Sequence, residues 1–344
     1  MDFEGRLDQM VNPLFYRIEN NWYYVTTSNA LEDLSTNGQK ISYLVPFWLG
    51  VTEAGDLVDQ SDAATMTLAR QLNLPILAIV HNYASREFGP LIHRLLTNEN
   101  LRHTLILNIL NTLISKGFYG VNIDFEFVPP EDRPYMTTFM AELYRTLKPY
   151  RLLVTISVPP ELKDDPSHPF SGAFDYPALS RHSDAVYVLA YDEHVAEPGP
   201  IASIGFVRQV MSYAMSVIPR FKLRLGIAVY GRDWPVGENV LPRELSYAEA
   251  INLAAQHNVT PRYDEEAQEL TYSYVENGVT HVVWFEDVRS FLVRLNYAVQ
   301  QGIPGIAVWR LGLEDPRIWN LFQQKTRDTR ITVCFRKRTC RTNN

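Results

Sequence analysis

The segment GVNIDFEFVPP, Gly120–Pro130, sets Asn122, Asp124 and Glu126 in alternation with Val121, Ile123 and Phe125. In a strand, residues two apart share a face. The polar three therefore point one way and the apolar three the other. Two acids on one face of an otherwise apolar strand need a reason, because a buried charge without a partner is costly. Neighbouring carboxyls perturb each other, so that one tends to hold a proton while the other stays ionised. Glycosidases with two working carboxylates place them on opposite sides of the scissile bond, roughly 5 to 9.5 Å apart. Side by side on one strand, Asp124 and Glu126 do not easily flank a sugar ring. The pair suits one acid/base and one helper, with a substrate that supplies its own nucleophile, such as the 2-acetamido group of an N-acetylated sugar. On the motif alone, a structural acid pair satisfied by an arginine stays open.

Strands are expected at Asn21–Thr27, Ile41–Trp48, Pro75–Asn82, Gly120–Glu126, Arg151–Pro159, Ala185–Asp192, Arg224–Gly231 and Gly305–Gly312. Most are near-continuous apolar runs, as parallel strands covered on both faces require. Amphipathic stretches such as AATMTLARQL and LRHTLILNILNTLISKG lie between them. A third, RPYMTTFMAELYRTLKP, follows PPED, which suits a helix N-terminus. The alternation predicts an α/β chain folded as a (β/α)8 TIM barrel. A doubly wound open sheet ranks second, because no glycine-rich phosphate loop follows the early strands. Barrel sites lie at the C-terminal ends of the strands, and Glu126 is read as the last residue of its strand. Residues 235–283 break the rhythm with a helical SYAEAINLAAQHN and a hairpin turning at Asn277-Gly278. They are read as a small α+β insertion after the seventh strand. The expected layout is a lead-in at 1–20, the barrel at 21–324 and a solvated basic tail at 325–344.

The bulk numbers narrow the classes. The chain has 344 residues, a formal net charge of −7, 46% hydrophobic and 21% charged residues. An acidic balance argues against a general nucleic-acid partner. No run is long enough to span a membrane. The N-terminus has acids where a signal peptide needs bases and no apolar core, so no cleaved leader and cytoplasmic synthesis are expected. Cys334 and Cys340 are the two cysteines, which excludes a disulfide scaffold and a multi-cysteine metal site. His81, His182 and His194 lack metal-ligand spacing. Neither a metal nor a cofactor is expected.

YGVNIDFE resembles the D-G-x-D-x-D-x-E signature of glycoside hydrolase family 18, the chitinase-like barrels. LAYD (Leu189–Asp192) is similar to the family's M-x-Y-D. GIAVYGRDW and GIAVWRLG are similar to its seventh- and eighth-strand segments. More narrowly, GVNIDFEFVPPEDR, AYDEH, PGPIASI, VVWFED and GIAVWRLGLED together resemble the bacterial spore-cortex-lytic N-acetylglucosaminidases of that family. Those relatives often carry N-terminal LysM modules, for which residues 1–20 leave no room.

The resemblance implies a monomeric glycosidase acting on peptidoglycan, associated with a spore. Chitin-like glycan is the near alternative. A lectin-like barrel is the alternative from another class, against which the retained Glu126 argues. It implies Glu126 as general acid and Asp124 as partner of the acetamido N–H. Tyr191 would donate to the acetamido oxygen, and Trp309 would form the floor under the sugar. Asp192 and Tyr230 would be sugar contacts, and Asn82, Trp48 and Glu286 cleft residues. The chain departs from the signature at Tyr119, Asn122 and Leu189. Asn122 cannot ionise, and it is expected to donate its amide to Asp124 and favour the ionised acid, altering the pH profile.

Overall fold

The computed structural model describes Phe15 and residues 17–83 and 87–325. Most of the lead-in and the tail from 326 onward, with Cys334 and Cys340, lie outside the described residues. In chain order the strands are β1 (Glu19–Tyr24), β2 (Tyr43–Val51), β3 (Leu57–Asp59), β4 (Leu77–His81), β5 (Gly120–Asp124), β6 (Leu153–Val158), β7 (Ala185–Val188) and β8 (Leu223–Ala228). They continue as β9 (Gly231–Pro235), β10 (Arg243–Leu245), β11 (Arg262–Asp264), β12 (Glu269–Glu276), β13 (Val279–Phe285) and β14 (Gly305–Trp309). The helices are α1 (Ser28–Asn37), α2 (Ala63–Gln71), α3 (Phe88–Thr97), α4 (Glu99–Lys116), α5 (Arg133–Leu147), α6 (Tyr176–Arg181), α7 (Ile204–Val217), α8 (Tyr247–Gln256) and α9 (Val288–Gln300).

Strands β1, β2, β4, β5, β6, β7, β8 and β14 pair in parallel, and β1 closes the ring by pairing with both β2 and β14. This is the (β/α)8 barrel expected from the alternation, with β3 as an antiparallel hairpin partner of β2. No described helix is long and apolar enough to cross a membrane.

The alternation rule sorts the core into two shells. Val121, Ile123 and Phe125 pack outward into the large core under the helices, where Phe125 meets Phe139 of α5 at 5.5 Å between ring centroids. Tyr23, Tyr43, Val45, Ile79, Tyr187 and Ala307 fill the lumen. The floor of the barrel is closed by a bidentate pair, Arg224 Nε to Glu19 Oε1 at 2.7 Å and Nη2 to Oε2 at 2.8 Å. The helices begin and end on local signals. Asn98 caps α4 by accepting from the Leu101 N–H, and Gly117 ends it in the left-handed region at φ 69°, which a side chain would resist.

A second, antiparallel sheet in the order β10-β9-β13-β12-β11 occupies Gly231–Phe285, with α8 packed on one face. It starts earlier and ends later than the 235–283 read from the sequence. Ser246 and Glu249 form a reciprocal capping box at the start of α8. Asn277 and Gly278, at φ 51° and 83°, make the β12–β13 turn.

Candidate active site

Strand β5 stops at Asp124, two residues before the end expected from the sequence. The reason is the side chain of Asn82. It donates to the Glu126 carbonyl at 2.7 Å and accepts from the Glu126 N–H at 2.9 Å, taking both backbone groups that a neighbouring strand would use. Phe127 then turns into the left-handed region at φ 53°. Glu126 is thereby held on the barrel rim by a side-chain clamp rather than by the sheet. Asp192, at φ 59°, is the second non-glycine residue here in that sparsely populated region. Such backbone costs about 1–3 kcal/mol and tends to collect at working sites.

A cavity of about 590 Å3 opens at this rim. Asp124, Glu126, Tyr191, Asp192, Tyr230 and Trp309 all line it, so six of the ten residues singled out in the sequence come together. The other four do not line it. Asn82 is the clamp. Asn122 is fully buried beneath the cavity. Trp48 is turned to the outer shell, against Tyr24 and Phe118, with its Nε1 donating to Thr26 Oγ1. The alternation explains this, since Phe47 next to it faces the lumen. Glu286, 1% exposed, lies in a buried ion cluster with Arg294.

Asn122 also departs from its expected partner. Its Nδ2 donates to Thr155 Oγ1 at 3.0 Å, and its Oδ1 accepts from Ser157 Oγ at 2.8 Å. With Tyr23 Oη 2.6 Å from Ser157 Oγ, the hydroxyls and amide run as one chain that ends on the Val121 carbonyl. The amide is committed to that chain and not to Asp124. Asp124 is not held in its ionised form: burial, then the charge of Glu126, push its carboxyl up to about 8. Glu126 is also raised. Burial is the chief cause and the Asp192 charge adds to it, while the Tyr83 hydroxyl pulls the other way. The two acids titrate as a pair, in which the charge of one holds a shared proton on the other.

Asp192 is occupied differently. The Tyr230 hydroxyl donates to its Oδ1, and Arg232 Nη2 lies 2.6 Å from the same oxygen. The first strand of the insertion thus grips the loop after β7. Trp309, half-buried, packs against Tyr23 and Phe47 at centroid distances of 5.3 and 6.2 Å. Tyr83, Phe127 and Phe170 form an exposed aromatic wall, tied together through Phe88.

The sequence reading missed Tyr83, Ser157 and Arg232. Ser157 was findable: Thr155 and Ser157 alternate with Val154, Ile156 and Val158, the same pattern that exposed Asp124. Tyr83 sits past its strand and left no periodic signal. Its hydroxyl donates to Glu126 Oε2 and favours the ionised carboxylate. Replacing Tyr83 by Phe removes that donor and lets Glu126 keep its proton to higher pH. The basic limb of kcat/KM is then expected to move up by roughly half to one pH unit, from the usual strength of a hydrogen bond to a charged group discounted for exposure. A limb that stays in place or moves down contradicts this.

Other buried carboxyls share the sign of Asp124. Burial pushes Glu161 up to about 8 and Glu314 up to about 7, and it raises Glu286 well above the ordinary range. A carboxyl whose folded pKa is raised binds its proton more tightly in the native chain. Its cost to stability is absent below the unfolded value and grows as pH rises toward the folded value. The thermal midpoint of the ligand-free protein is therefore expected to rise when pH is lowered from about 8.5 to about 7.5, above the range where unfolded histidines charge. Calorimetry that finds the midpoint falling over this window overturns the assignment.

Residues 20–314 match the family model of glycosyl hydrolases family 18. A cortical fragment-lytic enzyme of Bacillus anthracis is 32% identical, over 82% of this chain and 67% of its own. The crystal structure of the Bacillus megaterium spore cortex-lytic enzyme SleL superposes with a TM-score of 0.83 at 28% identity, covering 90% of this chain and 74% of that one. A chitinase from Chromobacterium violaceum superposes with a TM-score of 0.82 at 25% identity, covering 88% and 97%. The chain belongs to glycosyl hydrolases family 18 and is a glycosidase similar to both the cortex-lytic enzymes and the chitinases.

Proposed function

We propose that the chain hydrolyses β-1,4 bonds at N-acetylglucosamine in peptidoglycan, of the spore-cortex kind, with retention and with the substrate's acetamido group as nucleophile. The observation that carries this is the pair of adjacent acids, Asp124 and Glu126, both raised and both facing the cavity lined by Tyr191. Asp192, another carboxylate in the cavity, is engaged by Tyr230 and Arg232 and is not free to attack a sugar.

In the first step the acetamido oxygen bonds to C1 and the glycosidic C1–O bond breaks. The leaving oxygen takes the proton of Glu126. The positive charge that spreads over the oxazolinium ring is stabilised by Asp124, which is ionised once the pair's shared proton has passed to Glu126, and which accepts from the acetamido N–H. The Tyr191 hydroxyl directs the acetamido oxygen. Burial keeps that phenol protonated, and so a donor, at any working pH. Glu126, now ionised, takes a proton from water as the water attacks C1 and reopens the ring. Two displacements at C1 restore its configuration. Trp309 offers an apolar face to the C–H side of the ring.

The choice of cortex glycan is supported by the relatives, whose names place them on spore cortex. The similarity to a chitinase supports chitin as the second reading. Mass spectrometry of products from purified cortex fragments and from chitin oligomers decides between them. New reducing-end N-acetylglucosamine from cortex, absent with Glu126→Gln, is the expected result. Product from chitin alone moves the substrate to the second reading. Tight glycan binding with no product from either means a binding protein on a catalytic scaffold.

A further inference from the structure

A second cavity, of about 550 Å3, lies in the insertion. It is separate from the active site. Arg232 and Asp233 are neighbours on β9 and so face opposite sides of the sheet. Arg232 lines the catalytic cavity and Asp233 lines this one. Its floor is prebuilt. Asp233, 5% exposed, accepts from the Tyr274 hydroxyl at 2.7 Å through Oδ2, and its Oδ1 meets His281 Nδ1 at 2.8 Å. The His281 ring stacks on Tyr274 with centroids 4.7 Å apart. One wall is α8, which presents the exposed amides of Asn252 and Gln256, and Arg243 adds a guanidinium.

We infer that this cavity is an accessory saccharide site, which takes a neutral, hydroxyl-rich stretch of the same polymer that the active site cuts. The chemistry of the lining selects that class. Asp233, Glu249 and Glu276 outnumber Arg243, which disfavours a phosphate or sulfate. No group of three or more described His, Cys, Asp or Glu residues can hold a metal ion. Leu241, Leu253 and Pro235 are too few to make an apolar pocket. Side-chain amides and a guanidinium above a buried Asp–Tyr–His floor offer donors and acceptors at close spacing, as vicinal hydroxyls require. Two glycan sites on opposite faces of one sheet hold a polymer by avidity, since the second contact forms at high effective concentration. The inference rests on the proposed function only for the identity of the sugar.

The full chain carrying Glu126→Gln, titrated with chitotetraose by calorimetry, is expected to show two binding events. Trp309→Ala in that background removes the event in the catalytic cavity. Asn252→Ala with Gln256→Ala weakens the other at least tenfold. Both are exposed helix positions where alanine is well tolerated. In the otherwise unaltered chain, the double substitution is expected to leave kcat/KM on chitotetraose within twofold. It should lower the fraction bound to insoluble glycan at least threefold. A single event that Trp309→Ala abolishes overturns the accessory site and leaves the catalytic reading standing. Two events that both survive the double substitution overturn it as well. No binding at all overturns both readings.

Discussion

Replacing Glu126 by Gln is expected to lower kcat by about 10²–10⁴-fold while leaving KM within a few-fold, the range for loss of a general acid. Gln keeps the shape and the hydrogen-bonding capacity of the side chain. The Asn82 clamp acts on the backbone of residue 126, so it is unaffected by the substitution. The effect therefore reports the proton and not the position. Asp124→Asn serves as the control. It removes the repulsion that helps to hold the pair's proton, so the remaining Glu126 should titrate at lower pH than in the parent chain. Turnover measured on glycan fragments across pH checks both. A Glu126→Gln chain within tenfold of the parent contradicts the assignment.

Arg294→Met is expected to destabilise the chain by about 3–5 kcal/mol, because it strands buried carboxyls without their cation. Arg294, 1% exposed, lies 2.7 Å from Glu269 and 3.1 Å from Glu286, and donates to the carbonyls of Ser290 and Ala202. Burial raises both acids and Arg294 pulls them back. Glu269 also accepts from the N–H groups of Ile201 and Ala202, each at 2.8 Å. The cluster thereby ties the insertion and α9 to the loop that starts at Asp192. A loss of that size should lower the thermal midpoint by roughly 6–20 °C, at the 2–4 °C per kcal/mol typical of chains of about 150–250 residues. Adding Glu269→Gln and Glu286→Gln should recover part of it, since the charges are then gone from both sides. A single variant whose midpoint stays within about 2 °C of the parent contradicts this assignment of Arg294.

Much of this was legible in the sequence, and the failures have physical causes. All eight barrel strands could be read because parallel strands buried on both faces carry long apolar runs. The inward row of β5 could be read because its alternation placed Asp124 in the lumen. The end of that strand could not, because it is set by the side chain of Asn82 reaching across from the end of β4. Asn82 was read as a cleft residue, and its side chain clamps the backbone of Glu126. Trp48 was read as a cleft residue from the resemblance, although the alternation at Phe47 already turned it outward. Glu286 owes its place to Arg294, eight residues further along the chain, a pairing that no spacing rule picks out. The expected bond from Asn122 to Asp124 failed because Thr155 and Ser157, on the neighbouring strand, claim the amide first.

The most direct test of substrate-assisted cleavage is proton NMR of the first-formed product anomer, recorded during cleavage of fully N-acetylated glycan and of the same glycan after de-N-acetylation. The account predicts the β-anomer first from the N-acetylated strand and no cleavage at de-N-acetylated sugars. First appearance of the α-anomer, or equal rates on both substrates, would contradict a mechanism in which the acetamido oxygen attacks while Glu126 gives up its proton.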